Sequence, residues 1–191
     1  MFNNKRIILA SGSPRRKELM KGLGLDFEVR LVAGIDESFP EGLTGEEIAR
    51  TISRKKADAY RATLADDELL ITADTIVYLD GTVLGKPHDE DDARRMLHLL
   101  SGRTHQVITG VTLMTTGRTR TFDSVSHVTF SPLTDEEIDH YVREFRPLDK
   151  AGAYGIQEWI GFIGVERIEG SYFNVMGLPV QRLYRELKTF I

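Results

Sequence analysis

The sequence predicts an α/β protein of two lobes, built on a long mixed sheet flanked by helices. Three observations lead to this fold: a strand that turns directly into a helix at residues 7–16, an apolar strand at 69–79, and long extended runs at 103–114 and 119–130. Helical periodicity separates these strands, and such alternation is typical of α/β folds. A chain of 191 residues fits one domain, 1–191, with a full core.

Composition is that of a soluble globular protein and limits the partners. The formal net charge is −4, and cysteine is absent. An acidic chain with isolated basic clusters suits a small anion in a pocket better than a nucleic acid along a surface. The lack of cysteine excludes disulfides and thiolate chemistry and is compatible with the cytoplasm. The polar start, Met1–Lys5, and the lack of any long apolar stretch predict a cytoplasmic protein without a membrane partner.

The first strand ends in a turn that suits an anion. Ser13 is a favourable N-cap and Pro14 a favourable first helical residue. Free backbone N–H groups and the positive end of the helix dipole would face the anion, and Arg15 and Arg16 follow at once. The alternative is a plain strand-to-helix connection with both arginines in solvent.

An extended run at 27–32 precedes a helix with an unusual lysine. The capping box of Thr44 and Glu47 opens this helix, which reaches about Tyr60. Lys56 falls within the apolar face, where an ammonium group needs a partner. The alternative is that its stem covers apolar surface while the ammonium group reaches water.

The apolar strand at 69–79 contains one carboxylate, Asp74. Aspartate is rare in strands and costly to bury unpaired, so we expect Asp74 at a bulge or a strand end facing a cleft. A bond to a backbone amide alone is the other interpretation. Asp80-Gly81 predicts a hairpin into a short strand at 83–84. Lys86 then lies between a glycine and a proline, where a solvated turn lysine is the alternative.

The remaining elements complete the alternation of strands and helices. A helix follows the acidic run at 89–92, whose carboxylates complement the helix dipole. The runs at 103–114 and 119–130 predict a β-hairpin, and the capping box of Thr134 and Glu137 predicts the next helix. A glycine-rich segment at 149–157, a further run at 162–168 and a last helix from Val180 follow. The apolar stripe of that helix could pack on the core or on a second chain, so a homodimer is possible.

The polar residues singled out by these patterns suit a nucleoside triphosphate with its metal. They are Ser13, Arg15, Arg16, Lys56, Asp74, Lys86 and Gln157. Cations and N–H groups would bind the phosphates, carboxylate oxygens would bind Mg²⁺ or Mn²⁺, and an amide could read a base edge. The five histidines have no triad or zinc spacing, so catalysis by positioning and charge neutralisation is expected.

Six sequence blocks occur in the order found in a known family and span nearly the whole chain. They are residues 10–16, 73–77, 85–87, 100–105, 149–157 and 175–179. With these blocks the chain resembles the Maf family of nucleoside triphosphate pyrophosphatases. Thr75 and the run 151–157 are most similar to the branch that acts on dTTP and UTP.

The resemblance implies hydrolysis between the α- and β-phosphates, giving a nucleoside monophosphate and pyrophosphate with Mg²⁺ or Mn²⁺. It also implies a fold similar to that of the inosine triphosphate pyrophosphatases, with the active site in a cleft. By motif, Asp74 would accept the proton of the attacking water and, with Glu37, would bind the metal. The other implied roles are nucleotide specificity for Arg15, Thr75 and Gln157, and phosphate binding for Ser13, Arg16 and the catalytic lysines Lys56 and Lys86.

Two other interpretations stay open. Glu158 follows Gln157 where the family more often has glycine, so the enzyme could act on a modified pyrimidine or a methylated purine. A module linked to cell division that holds a triphosphate without cleaving it is the second alternative. Asp74 favours the enzyme, because an anion site of Arg and Lys needs no carboxylate.

Overall fold

The computed structural model describes residues 5–190, and within them the strands form one mixed seven-stranded sheet. The strands are β1 (Arg6–Leu9), β2 (Phe27–Val29), β3 (Glu68–Leu79), β4 (Thr82–Leu84), β5 (Thr104–Met114), β6 (Thr119–Phe130) and β7 (Val165–Glu169). The helices are α1 (Pro14–Gly22), α2 (Gly45–Asp58), α3 (Glu90–Leu100), α4 (Asp135–Phe145), α5 (Trp159–Gly164), α6 (Tyr172–Met176) and α7 (Val180–Phe190). The α/β prediction is confirmed. Residues 1–4 of the polar start lie outside the described residues.

The sheet has the strand order β2-β1-β3-β5-β6-β7, with β4 paired to β3. Strand β1 is parallel to β2 and to β3, so Leu9 is opposite Val29 on one side and Ile71 on the other. Strands β3 and β4 are antiparallel, as are β6 and β7. The predicted hairpin turn is present, and Asp80 and Gly81 both have positive φ. The sheet is therefore mixed, as expected.

The helix starts follow the local sequence signals. The Ser13 side chain caps α1, and Pro14 is its first residue. Both predicted capping boxes form, at the starts of α2 and α4. The run at 162–168 holds the end of α5 and the start of β7, so only its second part is a strand.

The extended run predicted at 27–32 pairs as a strand only up to Val29. Beyond it, the hydroxyl of Tyr60 donates to Arg30 O at 2.9 Å and accepts from Val32 N at 3.0 Å. Helix α2 ends at Asp58, and Tyr60 follows shortly after that end. A side chain therefore binds backbone groups that a longer strand would have paired.

The described chain divides into two compact units. The first consists of the residues up to 75, 109–124 and those from 177 onward, and the second of 76–108 and 125–176. One core cluster in the first unit contains Ile8, Tyr60, Leu70 and Met114. The core of the second unit includes Leu97, Phe130, Tyr141, Val142 and Ile160. Between residues 5 and 190 no helix has the length and apolar character needed to cross a membrane.

Candidate active site

Asp74 lies in the middle of β3 and is buried. Of the two expected positions, the strand end is wrong, because β3 runs unbroken from Glu68 to Leu79, and the bulge stays a prediction. An ion pair makes this position tolerable: Lys56 Nζ lies 2.7 Å from Asp74 Oδ1, with the two side chains 16% and 12% exposed. The ammonium group replaces part of the hydration that the carboxylate loses.

Buried hydroxyl groups hold α2 against the sheet and so position Lys56. Thr72 Oγ1 on β3 donates to Ser53 O at 2.7 Å, and Ser53 Oγ lies 3.1 Å from Thr112 Oγ1 on β5. Thr72 and Asp74 share a strand face, and Ser53 and Lys56 are one helical turn apart. The contact between Thr72 and Ser53 therefore also brings Asp74 and Lys56 together.

Glu37 is the second carboxylate at Lys56, with 3.1 Å between Oε1 and Nζ. Its neighbour Asp36 is bound elsewhere: it accepts from Ser38 N at 2.9 Å and from Lys55 Nζ at 2.9 Å. The hypothesis that Lys56 has a polar partner is confirmed, because the described part of the chain places two carboxylates at its ammonium group. Glu37 rather than Asp36 shares that ammonium group with Asp74.

The Arg16 guanidinium donates to several acceptors from distant parts of the chain. Nε donates to Gly177 O at 2.8 Å, Nη1 to Ala73 O at 2.8 Å and to Ser11 Oγ at 3.4 Å, and Nη2 to Thr75 Oγ1 at 3.0 Å. Acceptors among residues 5–190 thus use four of its five N–H groups, and the fifth can donate to a ligand. Arg16 connects α1, β3 and the segment before α7.

Burial and neighbouring charges act on the pKa of Arg16 in opposite directions. Burial lowers the pKa of Arg16, the negative charge of Asp74 opposes that shift, and Arg15 adds to it. An arginine keeps its charge at neutral pH despite such a shift. The positive end of α1, both arginines and the paired Asp74 therefore belong to one electrostatic environment in the first unit.

Thr75 and Ser13 have their hydroxyl groups engaged within the protein. Thr75 Oγ1 accepts from Arg16 and lies 2.9 Å from Thr109 Oγ1. Ser13 Oγ accepts from Arg16 N at 3.4 Å, as an N-cap does. Periodicity gave no signal for the contacts at Thr109 and Gly177, because both lie more than thirty residues along the chain from Thr75.

The second unit holds the other two residues singled out by sequence. Lys86 is exposed in the turn after β4. Gln157 lies in a turn before α5, and its Oε1 is buried with no hydrogen-bond partner among residues 5–190. A buried amide oxygen without a partner is costly, so it suits an N–H donor supplied by a ligand.

The carboxylates of the first unit fit a metal that arrives with substrate. In the part of the chain that is described, no group of three or more His, Cys, Asp or Glu residues could hold a metal ion. Asp74 and Glu37 share Lys56 and form a pair of hard oxygen donors. Mg²⁺ is commonly bound by one or two carboxylates, with substrate phosphates and water completing its shell.

Comparison with known proteins gives one family and close relatives. The model of the family described as "Maf-like protein" matches residues 6–190. A protein of Phocaeicola vulgatus named "dTTP/UTP pyrophosphatase" is 66% identical over 183 residues, covering 96% of this chain and 95% of the relative. A protein of the same name from Bacteroides thetaiotaomicron is 60% identical over 183 residues, covering 96% and 95%. A crystal structure of a nucleoside-triphosphatase, or dITP/XTP pyrophosphatase, from Mycobacterium abscessus superimposes with a TM-score of 0.42 at 16% identity, covering 74% of this chain and 95% of that one.

Proposed function

The chain belongs to the Maf family, and from this membership we propose that it hydrolyses dTTP and UTP to the nucleoside monophosphate and pyrophosphate. One observation of the site carries the proposal: a buried carboxylate, Asp74, is held by Lys56 beside two arginines and a helix N-terminus. A site that only bound anions would gain nothing from a carboxylate at its centre. A hydrolytic site needs one to accept a proton from water.

In the proposed reaction, water attacks the α-phosphorus, the bond from this phosphorus to the oxygen that bridges the α- and β-phosphates breaks, and pyrophosphate leaves with that oxygen. Asp74 accepts the proton of the water, and Lys56 holds the carboxylate in place through its contact with Oδ1. Lys56, the remaining N–H of Arg16 and the N-terminus of α1 with Ser13 bind phosphate oxygens, because charge neutralisation and positioning dominate such reactions.

A divalent metal, Mg²⁺ or Mn²⁺, fits Asp74 and Glu37. When bound, it supplies charge that polarises a phosphoryl oxygen and activates water.

Specificity roles are proposed for three further residues and a phosphate role for one. We assign the choice of nucleotide to Arg15, Thr75 and Gln157, and phosphate binding to Lys86. The support for Gln157 is its buried Oε1, which has no hydrogen-bond partner in the described chain and suits the imide N–H of uracil and thymine. A homodimer and a cytoplasmic location remain predictions.

A panel of nucleoside triphosphates, incubated with the purified chain and Mg²⁺ or Mn²⁺, tests the proposal. We expect pyrophosphate and monophosphate, with dTTP and UTP preferred over methylated purine and modified pyrimidine triphosphates. Release of phosphate and a diphosphate would refute the cleavage position. Tight binding measured by calorimetry without product over hours would indicate the sensing module instead.

A further inference from the structure

The turn that carries Gln157 is held at both ends by one buried hydroxyl. Residues 155–158 form a turn closed by the hydrogen bond from Glu158 N to Gly155 O, 3.0 Å long. Tyr141 on α4 is fully buried, and its Oη accepts from Gly155 N at 2.9 Å and donates to Glu158 Oε2. Both ends of the turn therefore contact one atom of α4, and Gln157 lies between them.

A second group fixes the Glu158 carboxylate. Lys150 Nζ lies 3.1 Å from Glu158 Oε1, and the Lys150 side chain is only 9% exposed. Lys150 also pairs with Asp149 at 2.7 Å. The carboxylate thus receives an ammonium group and a phenol, which together offset the cost of its partial burial.

Gly155 leaves the space that this arrangement needs. A Cβ at Gly155 would lie 2.8 Å from Glu158 Cδ, closer than such atoms approach. Burial and the bond to Glu158 raise the pKa of Tyr141 above its ordinary value, so its hydroxyl remains protonated and donates. Tyr141, Lys150 and Glu158 are called the Tyr141 network below.

We infer that the Tyr141 network positions Gln157 so that its amide discriminates between pyrimidine bases. The inference rests on the proposed function, in which Gln157 reads the base. An amide offers an acceptor and a donor side by side, and uracil and cytosine present the complementary groups in opposite order. A turn held at both ends keeps Gln157 Oε1 at one place, where it can accept the N3–H of uracil, a donor that cytosine lacks at that position. A turn free to move would lose that placement and with it the discrimination.

The Tyr141 network assigns Glu158 a role in holding the turn. Glycine in place of Glu158 would remove the acceptor for Tyr141 and the partner of Lys150. In this chain the residue after Gln157 therefore holds the turn from one side. The members of the network are positioning residues, because they act on the base through Gln157.

Tyr141→Phe tests the inference by removing only the hydroxyl. We expect kcat/KM for UTP relative to CTP to fall about tenfold, through a raised KM for UTP with kcat little changed. Gln157→Ala should give a similar fall, and the double variant should fall no further, since both changes act through one amide. Tyr172→Phe, an exposed tyrosine, is the matched control and should leave the ratio unchanged.

Two further measurements test the Tyr141 network without depending on the stability of Tyr141→Phe or on the assignment of Gln157 to the base. Glu158→Gln retains an acceptor for Tyr141, so it should preserve most of the selectivity that Glu158→Ala loses. Hydrogen exchange at the Gly155 amide should be at least about tenfold faster in Tyr141→Phe, because its acceptor is gone.

The outcomes separate the inference from the proposed function. If Gln157→Ala lowers the UTP/CTP ratio while Tyr141→Phe leaves it unchanged, the network does not position Gln157, and the proposed function stands. If Gln157→Ala itself leaves the ratio unchanged, the proposed role of Gln157 is wrong and the inference falls with it. Unchanged exchange at Gly155 in Tyr141→Phe would overturn the inference whatever the kinetics.

Discussion

Replacing His105 should make the protein less sensitive to acid. His105 on β5 is 2% exposed, and its Nε2 lies 2.7 Å from the hydroxyl of Tyr154. Its ring packs edge-on against Phe130 and Tyr154, and Nδ1 is buried without a hydrogen-bond partner among residues 5–190. Burial lowers the pKa of His105 to about 4 from an ordinary 6.5.

The sign and size of the effect follow from this shift. The unfolded chain binds a proton at His105 near its ordinary pKa, whereas the folded chain resists protonation until about pH 4. The contribution of the neutral His105 to the free energy of unfolding is therefore fully present above pH 6.5 and is lost as the pH is lowered toward 4. For this one group, the free energy of unfolding drops by about 2 kcal/mol at pH 5 and about 3 kcal/mol at pH 4.

Urea unfolding at pH 7.5 and pH 5 measures this contribution. In His105→Gln, which cannot titrate, the loss of unfolding free energy between the two conditions should be smaller than in the unaltered chain by about 2 kcal/mol. His98→Gln is the matched control, because His98 is half-exposed on α3 and should behave like the unaltered chain. Equal losses in His105→Gln and the unaltered chain would refute the reasoning, as would an NMR titration that places the pKa of His105 above 6.

Three further substitutions address the site and its support. Asp74→Asn should lower kcat/KM for UTP by about a hundredfold or more while circular dichroism shows a folded protein, with a melting temperature lowered by the loss of the buried ion pair with Lys56. Normal turnover would remove Asp74 from its proposed role. Arg16→Lys cannot reproduce the four donors of the guanidinium, so urea unfolding should show a loss of about 2 kcal/mol and all nucleotides should be hydrolysed more slowly to the same degree. A changed nucleotide preference would contradict that. Gly110→Ala would place a Cβ 2.2 Å from Ala49 O and should cost about 3 kcal/mol, whereas Gly117→Ala, with open space around it, is the control. An equal urea midpoint in both glycine variants would refute the close contact between α2 and β5.

Part of the candidate site could be predicted because its signals are local. The cap at Ser13 and the helix start at Pro14 need only a few neighbouring residues, and the structure has both. Lys56 was conspicuous because helical spacing places it among apolar residues, and its need for a partner is confirmed. Asp74 is conspicuous for the same reason in a strand, although the strand end expected for it is wrong, because it lies in the middle of β3.

The partners of these residues could not be predicted in the same way. Nothing local distinguishes Glu37 from Asp36, and only the fold directs the first to Lys56 and the second to Ser38 and Lys55. Tyr141 fits the apolar stripe of α4 as a core residue, and its spacing carries no sign that its hydroxyl binds the Gln157 turn.

The sequence by itself determined the class of fold, the helix starts, the hairpin after β3 and the residue types that suit a triphosphate. These depend on periodicity, capping and turn chemistry, which act over a few residues. Only the tertiary structure decided that Arg16 joins Ser11, Ala73, Thr75 and Gly177. Those acceptors lie up to 161 residues away along the chain. A hydrogen bond acts only when its donor and acceptor are within about 3 Å, so the fold must first bring these groups together.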